Sequence, residues 1–208
     1  MTSETRRVYL VRHGETQANR DGIIQGQQDT VLNAMGEEQA RLVGEALKDV
    51  EFRLAFSSDL SRAVKTAEAI LAHHPGVELV KEKALRERFM GTMEGQSVKQ
   101  LGGLSAHGAE TAKAFGRRGM EWWQTRIAGD GSPGNVLVTS HGGLITSLVR
   151  ALVDSGKVRC ARGVRVGTCV NASVTVIDVG KRSLVQYADA GHLTSTVVES
   201  NADEIEAT

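Results

Sequence analysis

The stretch Arg7-Val8-Tyr9-Leu10-Val11-Arg12-His13-Gly14-Glu15-Thr16 decides the fold. Arg7 to Val11 reads as a buried strand whose apolar run breaks abruptly into a cation, an imidazole and a glycine. Buried strands that end this way present polar groups at the carboxyl edge of a sheet, where open α/β folds bind ligands. Arg12 suits an oxyanion, and His13 suits proton or phosphoryl transfer. Gly14 lets the backbone turn away without a Cβ clash.

Outward from this stretch, strand-like and helix-like segments alternate. Asn33 caps a helix with Ala40, Val43 and Leu47 at helical spacing. Phe52 to Phe56 is a second strand, and Ser57-Ser58-Asp59 offers N-caps for a helix carrying Ala63, Val64, Ala67, Ile70 and Leu71. His73-His74-Pro75-Gly76 ends that helix, its histidines forming a surface pair, and Val77 to Val80 is a third strand. From Leu85 to His107 the pattern is irregular and glycine-rich, a long loop with room for a helical turn. Helical spacing resumes from Ala109 to Ile127, with Trp122 and Trp123 in the core. Gly129 to Gly134 is a loop, Val136 to Val138 a buried strand, and Leu144 to Val153 a largely apolar helix. Ser173 to Val179 and Ser183 to Tyr187 form a closing pair of strands. Alternation of this kind predicts an α/β fold, a mostly parallel sheet covered on both faces. The expectation is one domain over residues 1–198, followed by a polar, acidic and disordered tail over 199–208.

Composition narrows the functional classes. Hydrophobic residues make up 40% of 208, enough for a core, and 25 Lys+Arg balance 25 Asp+Glu. A neutral chain argues against a nucleic-acid or membrane-surface binder but leaves room for a local basic pocket. Cys160 and Cys169 form no C-x-x-C pattern and read as reduced thiols of a cytoplasmic protein. The amino terminus lacks the basic and apolar regions of a signal peptide, and no apolar run approaches the roughly 18 residues of a membrane span.

Three strand-to-helix junctions share one character. Arg12-His13-Gly14 follows the first strand. Ser57-Ser58 follows the second, with Arg62 in the next helix, and Ser140-His141-Gly142-Gly143 follows the Val136 strand. In a parallel sheet these junctions lie on one edge, where helix amino termini add unpaired N–H groups. Arg12, Arg62 and His141 thus converge on one dianionic group beside His13. Phosphate fits better than carboxylate, since two guanidiniums and an imidazole exceed the charge that one carboxylate needs. Singly, Arg62 reads as a solvated charge and His141 as a hydrogen-bonded structural residue; their recurrence at strand ends carries the case.

The ordered set of motifs resembles the histidine phosphatase superfamily, with its phosphoglycerate-mutase-like three-layer αβα sandwich. Arg12-His13-Gly14-Glu15-Thr16 with Asn19 resembles its signature, and Gln25-Gly26, Leu32-Asn33 and Gly36 its next segment. Ser57 to Ala63 resembles the motif bearing its second arginine. Leu85-Arg86-Glu87 with Gly91 and Glu94-Gly95 resembles its acid–base loop, and Ser140 to Gly143 its second histidine motif. The resemblance implies that His13 is the nucleophile that becomes phosphohistidine. Arg12, Arg62 and His141 clamp the phosphoryl oxygens, Asn19 donates a further bond, and Glu87 is the general acid and then base. Gln25, Gly26 and Gly142 are the remaining substrate-binding candidates. The resemblance also implies no metal, no cofactor and no obligate protein partner, only a small phosphorylated substrate.

Mutases of this superfamily carry a longer insertion between the acid–base loop and the second histidine. They also carry a tyrosine and a lysine where this chain has Met90 and Val98. A shorter lid admits water and favours hydrolysis. Ala55 to Leu60, Leu85 to Arg88, Glu110-Thr111, Arg118-Gly119 and Trp122-Trp123 resemble the fructose-2,6-bisphosphatase and TIGAR-like phosphatases. Gly108-Ala109-Glu110 replaces that group's usual Gly-Gly-Glu. His192 reads either as a structural residue or as a support of the site. Three functions stand: a metal-independent phosphatase on small metabolites, a phosphoglycerate mutase, or a non-catalytic binder of phosphorylated ligands. Gly103 to His107 fails the G-x-S-x-G pattern of serine hydrolases, and no P-loop or dinucleotide fingerprint occurs.

Overall fold

A computed structural model describes residues 6–100 and 107–193. Seven strands form one sheet: β1 (Arg7–Arg12), β2 (Phe52–Ser57), β3 (Leu79–Lys81), β4 (Asn135–Ser140), β5 (Arg159–Cys160), β6 (Val174–Asp178) and β7 (Ser183–Asp189). Their order is β3-β2-β4-β1-β6-β7-β5. Every neighbouring pair is parallel except those of β6, which runs against both β1 and β7.

The alternation of β1 divides the core in two. Val8 and Leu10 pack with Phe56, Val138, Phe115, Trp122 and Leu148 on one face. Val11 packs with Val43, Leu47, Ile70 and Leu137 on the other. Helices α2 (Ala34–Leu47) and α3 (Ser61–Leu71) therefore cover one face, and α4 (Ala112–Trp122) and α5 (Gly142–Asp154) the other. The result is the expected three-layer αβα sandwich. Each large apolar side chain so buried contributes roughly 1.5–3 kcal/mol, more than helix propensity supplies per residue. Packing thus holds these helices in place.

Several boundaries differ from expectation. The start of α3 is capped by Leu60 without a side-chain bond, so Ser57 to Asp59 are not its caps. Ser57 is still in the strand, and Ser58 turns to the site. The third strand starts at Leu79, not Val77. The last turns of the predicted 109–127 helix widen into a π-helical segment over Trp123–Ala128, which keeps Trp123 and Ile127 buried. His74 is half-buried against Phe52, with ring centroids 4.9 Å apart, whereas His73 is exposed. A five-residue helix α1 (Gln17–Asp21) follows the opening motif, opened by a Thr16–Asn19 capping box and ended by Gly22. The loop after Leu85 contains two short 3₁₀ turns, Gly91–Met93 and Val98–Gln100. Both cysteines are free thiols. Among the described residues no helix is long and apolar enough to cross a membrane. The 199–208 tail and the Gly103 to Ala106 stretch lie outside the described residues.

Candidate active site

Register brings the three junctions together. Arg12 pairs with Ser140 across β1 and β4, and Ser57 with Thr139 across β2 and β4. The ladder continues one residue past each strand: His13 N–H donates to Ser140 O (2.9 Å) and Ser58 N–H to Thr139 O (2.9 Å). Gly14 and Gly36 touch backbone to backbone, and a Cβ on either would overlap the other segment, so α2 is pinned against the turn after His13.

The partners of His13 define its tautomer. Its Nδ1 lies 2.7 Å from Gly14 O, an obligate acceptor, so Nδ1 carries the proton. Its Nε2 lies 3.3 Å from Arg62 Nε, an obligate donor, so Nε2 presents a lone pair. Arg62 is wholly buried in the first turn of α3 and also donates to Gly26 O (2.9 Å) and Gln28 O (2.7 Å). Arg12 is buried and donates to Cys169 O (2.7 Å). The His141 ring stands 5.1 Å from that of His13, its Nε2 2.8 Å from Ser58 Oγ. Burial, then the cations Arg62 and Arg12, hold the His13 pKa well below the ordinary histidine value. Burial and Arg62 do the same to His141. The concentration of guanidiniums around two neutral imidazoles suits an incoming anion.

Asn19 backs this cluster. Its Oδ1 accepts from Thr16 N–H (3.1 Å) and from Asn171 Nδ2 (3.2 Å), and its Nδ2 has no hydrogen-bond partner among the described residues. Gln25 sits deeper, its Oε1 accepting from the hydroxyls of Thr16 (2.8 Å) and Thr30 (2.5 Å). Gly26 reaches the cluster through its carbonyl on Arg62. Gly142 is buried at the start of α5, beside His141.

Glu87 approaches from off the sheet. Its carboxylate accepts from Gly143 N–H (2.9 Å) at the start of α5 and from Arg88 N–H (2.8 Å). The absence of a Cβ on Gly143 lets the Glu87 carboxylate come this close, and a Cβ there would displace it. Arg118 of α4 clamps the segment, donating to Ala84 O (2.8 Å), Arg86 O (2.9 Å) and Glu87 O (3.2 Å) while pairing with Glu110 (2.8 Å). Gln27 Nε2 adds a bond to Glu87 O (3.1 Å), and Arg86 pairs with Asp59.

Sequence reading missed three of these supports. Ser58 was expected to cap a helix and instead faces His141. Asn171 carried no signal at all. Gln27 stood beside quoted motif residues, and adjacency was the available hint. His192 Nε2 donates to Ala172 O (3.0 Å), so it holds the turn behind His13 and touches none of the clustered groups. Among the described residues no group of three or more His, Cys, Asp or Glu is placed to hold a metal ion.

The model of the histidine phosphatase superfamily (branch 1) matches residues 8–189. Fructose-2,6-bisphosphatase TIGAR B of Danio rerio is 40% identical over 116 residues, which are 54% of this chain and 45% of that protein. A probable phosphatase of Schizosaccharomyces pombe is 30% identical over 200 residues, 91% of this chain and 96% of that one. The crystal structure of phosphoglycerate mutase from Bacillus anthracis superposes with a TM-score of 0.73 at 30% identity, covering 91% of this chain and 96% of that one. The match spans nearly the whole sheet and every junction described above, and the chain belongs to the histidine phosphatase superfamily.

Proposed function

We propose that this protein is a metal-independent phosphatase that hydrolyses small phosphorylated metabolites, sugar phosphates or bisphosphates, through a phosphohistidine on His13. The observation that carries the reading is the His13 tautomer: a proton held at Nδ1 by Gly14 O leaves the Nε2 lone pair facing the arginine-lined space.

In the first step Nε2 attacks phosphorus while the bond to the leaving oxygen breaks. Arg12, Arg62 and His141 bear the charge on the non-bridging oxygens, with Asn19 Nδ2 donating to one of them. Glu87 in its acid form gives its proton to the leaving alkoxide. In the second step water attacks phosphorus, Glu87 takes its proton, and the P–N bond breaks to restore neutral His13. Burial and the arginine charge disfavour protonation of His141, and arrival of a phosphate dianion opposes both, favouring the imidazolium as a donor.

The mutase reading shares the first step and differs in the acceptor of the phosphoryl group. It is favoured by the likeness to the phosphoglycerate mutase from Bacillus anthracis. Hydrolysis is favoured by the short stretch between Glu87 and His141 and by Met90 and Val98 at the positions discussed above. The test is phosphate release from a panel of metabolites in the presence of EDTA, including fructose-2,6-bisphosphate, 2,3-bisphosphoglycerate and a phosphotyrosine peptide. Release that survives EDTA and disappears in His13→Ala is expected. Full activity in His13→Ala would overturn the nucleophile. Interconversion of phosphoglycerates without net release would favour the mutase, and no turnover of any ester a binding role.

A further inference from the structure

We infer that Asn171 is a positioning residue that, together with the Thr16 N–H, holds the direction of the Asn19 amide and steadies the His13 peptide, so that phosphate meets a donor rather than an acceptor. The inference rests on the phosphate reading above. Asn171 is buried in the turn before β6, far from Asn19 in sequence, and carries no catalytic group.

The hydrogen-bond logic is closed. Asn171 Nδ2 has two protons. One goes to His13 O (3.0 Å), a carbonyl that can only accept, so the Asn171 amide has its nitrogen on this side. The other goes to Asn19 Oδ1 (3.2 Å). Thr16 N–H, which can only donate, meets the same oxygen (3.1 Å). The Thr16 hydroxyl also lies 3.1 Å from this oxygen; donors gathered on Oδ1 leave Asn19 with its nitrogen turned the other way, and that Nδ2 is buried with no hydrogen-bond partner among the described residues. A buried donor without a protein partner is costly and is satisfied by an anion's oxygen. Were the amide reversed, it would set an acceptor oxygen against the phosphate.

The turn that carries Asn171 is itself held in an unfavourable shape. Ala172 has φ of +53°, in the left-handed region that a residue with a Cβ rarely adopts. It is retained by Ala172 N–H donating to His13 O (3.1 Å) and by His192 donating to Ala172 O (3.0 Å). The His13 carbonyl thus accepts from two consecutive residues of this turn. The backbone bearing the nucleophile and the amide facing the phosphate are fixed by one element. This also gives His192 its place, as the prop of that turn.

The test is calorimetric titration with inorganic phosphate of the wild type, Asn19→Ala, Asn171→Ala and the double variant. Phosphate affinity is read without turnover. Loss of one oriented hydrogen bond to a charged ligand predicts about five- to tenfold weaker binding in each single variant. Because the His13 carbonyl keeps its bond from Ala172 N–H when the Asn171 side chain is removed, the effect of Asn171→Ala on phosphate runs through Asn19, and the double variant should bind no more weakly than Asn19→Ala, within about twofold. Asn171→Leu, which refills the volume without a donor, should match Asn171→Ala. Wild-type affinity in Asn171→Ala, or a double variant that loses the product of both effects, overturns the inference. So does loss of the native circular dichroism in both Asn171 variants, which would make the residue purely structural. A wild type that binds no phosphate overturns the phosphate reading itself, and this inference with it.

Discussion

The two halves of the site are held by different means. His13 and Ser58 continue the ladders of β1 and β2 onto β4, so the half proposed to hold phosphate inherits its geometry from backbone pairing in the middle of the sheet. Glu87 stands on a segment without strand pairing. Its place is set by the Arg118 guanidinium on three carbonyls, by the Gln27 amide, and by contact with a glycine that leaves it space. Backbone geometry is shared over many bonds, and no single side chain carries it. Geometry made by a few side chains fails when one is lost. The contrast teaches that the proton half is where small changes should alter chemistry without altering the fold.

Gly143→Ala breaks this arrangement most directly. A Cβ at this position overlaps the Glu87 carboxylate, which must then leave the start of α5. With Glu87 in its proposed role of general acid, this displacement should slow ester cleavage by about 100-fold or more when the leaving group is poor. An aryl phosphate such as p-nitrophenyl phosphate, whose leaving group needs little protonation, should lose far less. Steady-state kinetics on both substrate types check this, and equal losses would separate Glu87 from acid catalysis. Arg118→Lys should follow the same pattern more mildly, about tenfold on poor leaving groups, because a lysine cannot span three carbonyls and Glu110 at once.

The phosphate half is probed by pH instead. His13 and His141 are buried, with folded pKa values held below 6.5 by burial and by Arg62. Below about pH 6.5 the unfolded chain takes up protons that the folded imidazoles refuse, so stability rises with pH through this window and falls as pH drops. The melting temperature should decline between pH 7 and pH 5, and His141→Asn should flatten that decline. An unchanged slope in the variant would place the acid sensitivity elsewhere.

The same contrast governs what could be read from the sequence. The half proposed to hold phosphate was most legible where a candidate directly follows an apolar run: Arg12-His13 after Val8 to Val11, and His141 after Val136 to Val138. Local pattern fixes the strand, and the strand fixes the edge. Ser58 was misread because a serine before a helix has two uses: its Oγ meets His141 Nε2 (2.8 Å) and Leu60 N–H (3.3 Å), and neither bond caps the first turn of α3. Strand β5 was invisible, since Arg159–Cys160 is two exposed residues that owe their assignment to pairing with β7. Asn171 depends on bonds to residues 13 and 19, and Ala172 on a backbone angle that alanine does not advertise. Arg118 read as part of a likeness to a group, with no hint that its five donors are spent on the Glu87 segment and Glu110.

Thr111→Ala is the smallest of these changes and tells whether the clamp on Glu87 needs all of α4 or only Arg118. Thr111 caps that helix, its hydroxyl accepting from Ala114 N–H (3.1 Å), on an exposed surface. Losing such a cap costs about 1 kcal/mol, which in a chain of this size lowers the melting temperature by roughly 2–4 °C. Phe115, Gly119 and Trp122 remain buried against the rest of the core, so the helix should stay docked and Arg118 should keep its carbonyls. Activity on poor and good leaving groups should therefore be unchanged within about twofold while thermal stability falls. If poor leaving groups slowed selectively in Thr111→Ala, the position of Glu87 would depend on the first turn of α4. The clamp would then extend along the helix instead of residing in one guanidinium.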